Sequence, residues 1–189
     1  MNNEKKTKIV LIVGKSNSGK TTLMEKLIRE LSARGYRVGS VKHTHKVNFD
    51  KQGKDSWRHK NAGAVASLIV TDTTVALVKE DTRPAEEKFF HYLGDMDLIL
   101  AEGFKTFRLP KIEVFRKESP HAAPLCLEDP NLVAFVTDTD IRPREKPCFG
   151  LEDTGSVSYT HLRAHETSSS ISYAVFCLKR GGGGGGGGG

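Results

Sequence analysis

The chain has 189 residues, 37% of them hydrophobic and 28% charged, with a formal net charge of +6; that length fits one domain with a core large enough to fold alone. No apolar run is long enough to cross a bilayer, the opening MNNEKKTK lacks the apolar region of a signal peptide, and Cys126, Cys148 and Cys177 have no metal-ligand spacing, so a reducing cytoplasm is the expected setting and a membrane is not. The positive charge comes with no basic helix or aromatic–basic stripe, which argues against nucleic acid as a partner.

The chain is organised around Lys8 to Leu23, KIVLIVGKSNSGKTTL. Ile9 to Val13 form a continuous apolar run, the pattern of a strand buried on both faces of a parallel sheet. From Gly14 the spacing is G-x-x-x-x-G-K-T, the phosphate-binding loop or Walker A pattern. Leu23, Leu27, Ile28 and Leu31 then recur at helical spacing. A strand that ends where a helix starts aims backbone N–H groups at an anion. In this pattern Gly14 and Gly19 permit close backbone approach, Lys20 reaches the β- and γ-phosphates, and the Thr21 hydroxyl ligates Mg²⁺. The bland alternative, a chance glycine-rich turn, has to explain strand, loop, Lys-Thr and helix all in order. Lys15 has two readings: a lysine that reaches a partner's nucleotide in a dimer, or a solvated loop residue.

Gly35 stops the helix, and Arg37 to Lys42 reads as a second strand, which makes the first unit a right-handed parallel crossover. In a parallel sheet the strand C-termini line the ligand crevice, which places Lys42, His43 and His45 near the phosphates. His43 and His45, two apart, face one way on an extended segment: a joint metal pair, or polar loop residues beside a phosphate site. Asp50 and Asp55 follow in a polar stretch, and Asp55 also suits the start of a short helix that ends before Gly63. Ala64–Val70 and Thr73–Val78 read as strands joined by a tight turn at Thr71-Asp72, which predicts a mixed sheet. A helix opens at Arg83-Pro84 with Phe89, Phe90 and Leu93 apolar. Asp97 to Glu102 is a buried strand with an acid at its end. An acid there holds the Mg²⁺ shell or orients the attacking water, so Glu102 is preferred over Asp97, which begins the strand at the far end of the sheet; the alternative for Glu102 is a strand-end carboxylate that caps a neighbouring helix. Lys111–Arg116 alternates and reads as a strand, as does Leu132–Val136, with a proline-rich loop between them. The Asn-Lys-x-Asp guanine motif is absent; Asp138, after the last strand, is a candidate to read guanine. The fold class is therefore α/β, a P-loop NTPase with a mostly parallel, mixed central sheet flanked by helices.

Composition changes near Gly155. Residues 157–167 (VSYTHLRAHET) and 171–179 (ISYAVFCLK) resemble translated adapter oligonucleotides of short-read DNA sequencing, and nine glycines follow. We expect residues 1–155 to be the nucleotide-binding domain, cut short at its C-terminus, and residues 156–189 to be an artefactual, disordered tail rather than a natural Ser/Gly-rich linker. His161, His165 and Cys177 then carry no functional weight, and without the tail's three basic and one acidic residues the net charge is +4.

GKSNSGKTTL at 14–23, VKHTHK at 41–46, FDKQGKDSWRHKNAGA at 49–64 and DLILAEGFK at 97–105 together resemble the molybdopterin-guanine dinucleotide biosynthesis protein B (MobB) family over residues 8–150. The resemblance implies a dimeric GTP-binding P-loop protein with, at most, slow GTP hydrolysis. It also implies an adaptor role toward the molybdenum cofactor guanylyltransferase, with molybdopterin or its guanine dinucleotide as a further contact. By motif match the nucleotide role falls on Gly14, Lys15, Ser18, Gly19, Lys20, Thr21 and Thr22, with Thr21 and Glu102 at Mg²⁺ and Lys20 and Glu102 carrying the chemistry. Two other classes fit the same loop. A small-molecule kinase needs an arginine-rich lid, for which residues 83–93 are too acidic. A metallochaperone GTPase rests on His43 and His45.

Overall fold

The computed structural model describes residues 7–44 and 52–158. The apolar run forms strand β1 (Lys8–Val13), and the periodic segment after the loop forms helix α1 (Lys20–Ala33). Then follow β2 (Val38–Lys42), α2 (Asp55–Asn61), the hairpin strands β3 (Ala66–Val70) and β4 (Val75–Lys79), α3 (Ala85–Leu93), β5 (Leu98–Glu102), β6 (Lys111–Phe115), β7 (Leu132–Thr137) and a short β8 (Cys148–Phe149).

Six strands form one sheet in the order β2-β5-β1-β6-β7-β8, and every pairing in it is parallel. Because β1 lies between β5 and β6, the loop after Val13 opens at the middle of the sheet's C-terminal edge, where ligands of open parallel sheets bind. Side-chain alternation sorts the core onto two faces. Val10, Ile12, Leu98, Leu100, Ile112 and Val114 pack on one face with Leu23, Met24, Leu27 and Leu31 of α1. Ile9, Leu11, Val13, Ile99 and Ala101 pack on the other with Phe89 of α3 and Cys126. At about 1.5–3 kcal/mol for each fully buried large apolar side chain, these two layers hold the loop's frame.

Two expectations change here, both about the hairpin. The hairpin does not join the central sheet: β3 and β4 pair only with each other, antiparallel, so the central sheet is all-parallel. Its turn is wider than Thr71-Asp72, spanning Thr71–Thr74, with Thr71 Oγ1 accepting the Thr74 N–H at 2.9 Å. β6 forms where the alternation places a strand, and all five of its residues are buried, the charged ones included. Lys111 is bonded to Asp129, and Glu113 accepts the N–H groups of Leu125 (2.5 Å) and Cys126 (2.8 Å). Residues 154–158 form a helical turn whose Val157 is fully buried in the α1 face. No helix among the described residues is long and apolar enough to cross a membrane.

Candidate nucleotide site

The loop's backbone departs from ordinary φ at three places: Gly14 (φ 144°), Asn17 (61°) and Gly19 (91°). A Cβ on Gly14 would stand 2.5 Å from both Ser18 Oγ and the Val114 carbonyl oxygen, so this approach to β6 requires glycine. Ser18 is fully buried, and its hydroxyl has no hydrogen-bond partner among the described residues. Gly19 is the N-cap of α1, with no side-chain cap bond and no acidic residue in the first turn. The first N–H groups of a helix have no partner within it, and its N-terminus carries partial positive charge, so the end of α1 suits an anion.

Lys20 is half-buried and donates from Nζ to the Lys15 carbonyl at 2.7 Å. Burial pushes its ammonium below the ordinary lysine value, the Glu102 carboxylate pulls it back up, and Lys42 lowers it further. Thr21 Oγ1 donates to Glu102 Oε2 at 3.2 Å, which joins the head of α1 to the end of β5. The other carboxylate oxygen, Oε1, faces Lys42 Nζ at 3.6 Å; Lys42 and Glu102 are register partners at the ends of β2 and β5. Thr22 is exposed on the first turn of α1.

Glu102 is set at the crevice by a sharp turn. Gly103 (φ 100°) and Phe104 (φ 53°) are both left-handed, and a Cβ on Gly103 would stand 3.0 Å from His43 Cβ. The Phe104 ring packs against those of His43 (4.9 Å between centroids), Phe89 (4.9 Å) and Phe107 (5.1 Å). A bulky residue held at positive φ is uncommon, and this aromatic cluster is what holds it.

Of the other sequence candidates, Asp97 lies at the opposite end of the sheet, where its Oδ2 accepts the Arg37 N–H at 2.8 Å. His43 is fastened beside the site, its N–H donating to the Glu102 carbonyl at 3.0 Å and its ring on Phe104. His45 and Asp50 lie outside the described residues. Among those described, no three His, Cys, Asp or Glu side chains are grouped to hold a metal. Asp55 is the first residue of α2, 3.8 Å from Arg58, and gives no cap bond. Asp138 Oδ1 accepts the Lys117 N–H at 2.6 Å and Oδ2 lies 3.9 Å from Arg116 Nε.

The sequence reasoning passed over Arg116. It follows the last residue of β6, and its Cδ lies 3.3 Å from where a Cβ on Gly19 would be. The rule that placed Lys42 and Glu102 at strand ends would also have found it.

A family model described as "Molybdopterin guanine dinucleotide synthesis protein B" matches residues 9–138. The molybdopterin-guanine dinucleotide biosynthesis adapter protein of Haemophilus influenzae is 44% identical over 60% of this chain and 66% of its own length. The adapter protein of that name from Escherichia coli is 38% identical over 67% and 75%. A crystal structure of a MobB homolog from Bacillus stearothermophilus is 27% identical, covers 84% of this chain and 98% of its own, and superposes with a TM-score of 0.60. An adenylyl-sulfate kinase of Bacillus licheniformis is 30% identical over 76% of this chain and 82% of its own length. With the family model spanning the sheet from β1 to β7, the chain belongs to the MobB family of molybdopterin guanine dinucleotide synthesis proteins.

Proposed function

We propose that the chain binds GTP with Mg²⁺, hydrolyses it slowly at most, and serves as a cytoplasmic adaptor to the enzyme that joins GMP to molybdopterin, working as a homodimer. The single observation that carries the nucleotide reading is the buried Ser18 hydroxyl without a partner among the described residues, set under a helix N-terminus with no acid in its first turn. That donor set fits phosphate oxygens. The Thr21 hydroxyl and Glu102 carboxylate, 3.2 Å apart, are hard oxygen donors that fit a divalent cation. Thr21 and Glu102 would hold Mg²⁺ there, and the ion would supply positive charge against the phosphate oxygens. Lys20 adds a second positive charge at the same place, while the Gly14–Gly19 backbone orients the phosphates and Glu102 holds water in line through its remaining oxygen. The adaptor role, the guanylyltransferase partner and contact with molybdopterin or its dinucleotide draw on family membership and on the relatives' designation as adapter proteins. The homodimer draws on the free hairpin: Leu68, Val70, Val75 and Leu77 share one face of it and are 45–63% exposed.

The test is GTP against ATP affinity for the wild-type chain and Lys20→Ala. The expected result is a GTP preference with at least about tenfold loss in Lys20→Ala, since a charge-assisted contact is worth about 1.5–3 kcal/mol. A preference for ATP would count against the adaptor reading. It would favour a second reading, a small-molecule kinase, which draws on the likeness to adenylyl-sulfate kinase. Against that reading, α3 carries Glu86 and Glu87 in its first turn and no arginine. Nucleoside diphosphate release that depends on a small acceptor is the kinase signature.

A further inference from the structure

Four charged side chains stand at the C-terminal ends of the strands beside the loop: Lys42 on β2, Glu102 on β5, Arg116 just past β6 and Asp138 just past β7. They form two ion pairs, one on each side of β1. Lys42 and Glu102 lie 3.6 Å apart on the β2–β5 side, with Thr21 joined to Glu102. Arg116 and Asp138 lie 3.9 Å apart on the β6–β7 side. The proposed metal and γ-phosphate end accounts for the first pair and leaves the second without a role.

Arg116 is built into the loop. Its stem rests on Gly19, the residue before Lys20, with Cδ 3.3 Å from a Cβ placed there. Its Nη2 donates to Glu118 at 3.1 Å. Its Nε is shielded from solvent and makes no hydrogen bond among the described residues, because Asp138 Oδ2 is beyond bonding reach at 3.9 Å. A guanidinium carries five N–H donors on a rigid plane, so most of its capacity here is unspent. Thr21 and Glu102 fix the metal end of the site on the β5 side. A nucleotide laid along the loop therefore has its ribose and base over β6 and β7, where Arg116 stands.

We propose that Arg116 is a nucleotide-binding residue on the nucleoside side of the phosphate loop, offering a planar cation on which the purine base stacks, and that Asp138 is its positioning residue. This rests on the nucleotide reading above. It also reassigns Asp138, which the sequence offered as a reader of guanine. Here one carboxylate oxygen accepts the Lys117 N–H at 2.6 Å and the other faces Arg116 Nε at 3.9 Å, so the contacts that Asp138 makes tie it to the arginine's side of the site.

The experiment measures equilibrium binding of GTP, ATP and inorganic tripolyphosphate to the full chain with Mg²⁺, by displacement of a fluorescent guanine nucleotide and by calorimetry. The variants are Arg116→Gln, which keeps the stem on Gly19, Arg116→Ala, Asp138→Asn and Lys20→Ala, each checked for native circular dichroism. Arg116→Gln and Arg116→Ala should lose about tenfold for GTP and ATP alike, the scale of a desolvated cation–π contact, while tripolyphosphate affinity moves less than about twofold. Asp138→Asn should lose less, in the same direction, with the GTP-to-ATP ratio unchanged. Wild-type GTP affinity in folded Arg116→Gln overturns the proposal, as does an equal loss for tripolyphosphate. Collapse of the GTP preference in Asp138→Asn restores the base-reading role and overturns the assignment of Asp138. If the wild-type chain binds neither GTP nor tripolyphosphate, the nucleotide reading fails and takes this one with it. If Lys20→Ala lowers binding while the Arg116 variants do not, the arginine alone is wrong.

Discussion

Gly14→Ala tests the loop geometry by stability alone, without any ligand. The residue sits at φ 144°, where an added Cβ meets two oxygens at 2.5 Å. One is Ser18 Oγ, which a rotamer change moves. The other is the carbonyl of Val114, part of the backbone of β6, which pairs along β1 as far as Val13. The left-handed conformation costs an L-residue about 1–2 kcal/mol. Overpacking against fixed backbone adds about 1–3 kcal/mol. The expected loss is therefore about 2–5 kcal/mol, a large share of the stability of a typical domain. Gly35→Ala is the matched control: φ is 85°, and nothing lies within 4 Å of its added Cβ. It carries the conformational part alone, about 1–2 kcal/mol. The gain from restricting the unfolded chain is common to both variants and cancels in the comparison. Urea unfolding followed by far-ultraviolet circular dichroism should place Gly14→Ala below Gly35→Ala by about 1–3 kcal/mol. Equal losses would refute the close approach of loop and strand, and with it the argument that only glycine fits there.

Lys111→Ala removes the cation from a pair whose lysine side chain is 3% exposed and whose partner, Asp129, is 21% exposed, and should cost about 2–4 kcal/mol in the same assay. Burial pushes the Asp129 carboxyl up, but hydrogen bonds from Lys111 and Asn131 outweigh it and hold the group below its ordinary value. Its contribution is thus complete above the unfolded value near about 4 and is lost as pH falls through the lower native one, so the acid limb of a stability–pH curve should flatten in Lys111→Ala. Burial, with Glu113 adding, pushes the Cys126 thiol up to about 11, so iodoacetamide at pH about 8 should label it only after denaturant is added. The neutral thiol's contribution stays whole below the unfolded value and is lost only as pH climbs toward about 11; fast native labelling would contradict this burial. Leu68→Glu with Leu77→Glu puts like charges opposite each other on the exposed hairpin and should convert a dimer to monomer in sedimentation without lowering the core's thermal midpoint. A dimer that persists would move the interface elsewhere.

What the sequence made legible was the part governed by local rules. The β-branched run, the glycine spacing and the helix face from Leu23 to Leu31 each follow from a short window, and they sit where the pattern places them. Glu102 was legible through topology, because a buried strand followed by an acid implies the crevice end of a parallel sheet. The hairpin was legible as two strands, but its separation from the central sheet depends on the path of the chain, to which pairing propensity is blind. The burial of Lys111 and Glu113 was not legible, for a physical reason. Alternation of charged and apolar residues signals a solvated face only where no partner waits, and here Asp129 and the Leu125–Cys126 amides lie more than ten residues away in sequence. Arg116 was open to the strand-end rule; its contact with Gly19 was not, because the two lie far apart in sequence.

The charges around the loop bear on rate as well as on binding. A site built for fast phosphoryl transfer aims unpaired positive groups at the charge that develops on the transferring oxygens. Here Lys42 is matched by Glu102, Arg116 by Asp138 and Glu118, and the Lys20 ammonium is tethered to a loop carbonyl. Each cation is therefore held in place, and the fields of Lys42 and Arg116 are partly cancelled by the acids beside them. Such an arrangement discriminates only weakly between bound phosphates and their transition state, which agrees with the slow hydrolysis proposed above. Glu102→Gln tests the metal end: it frees Lys42 but takes a charged donor from the proposed Mg²⁺ site, so Mg²⁺-dependent nucleotide binding should weaken and any hydrolysis should fall, measured as phosphate release under single turnover. Faster release in that variant would show that the carboxylate restrains the chemistry rather than serving it.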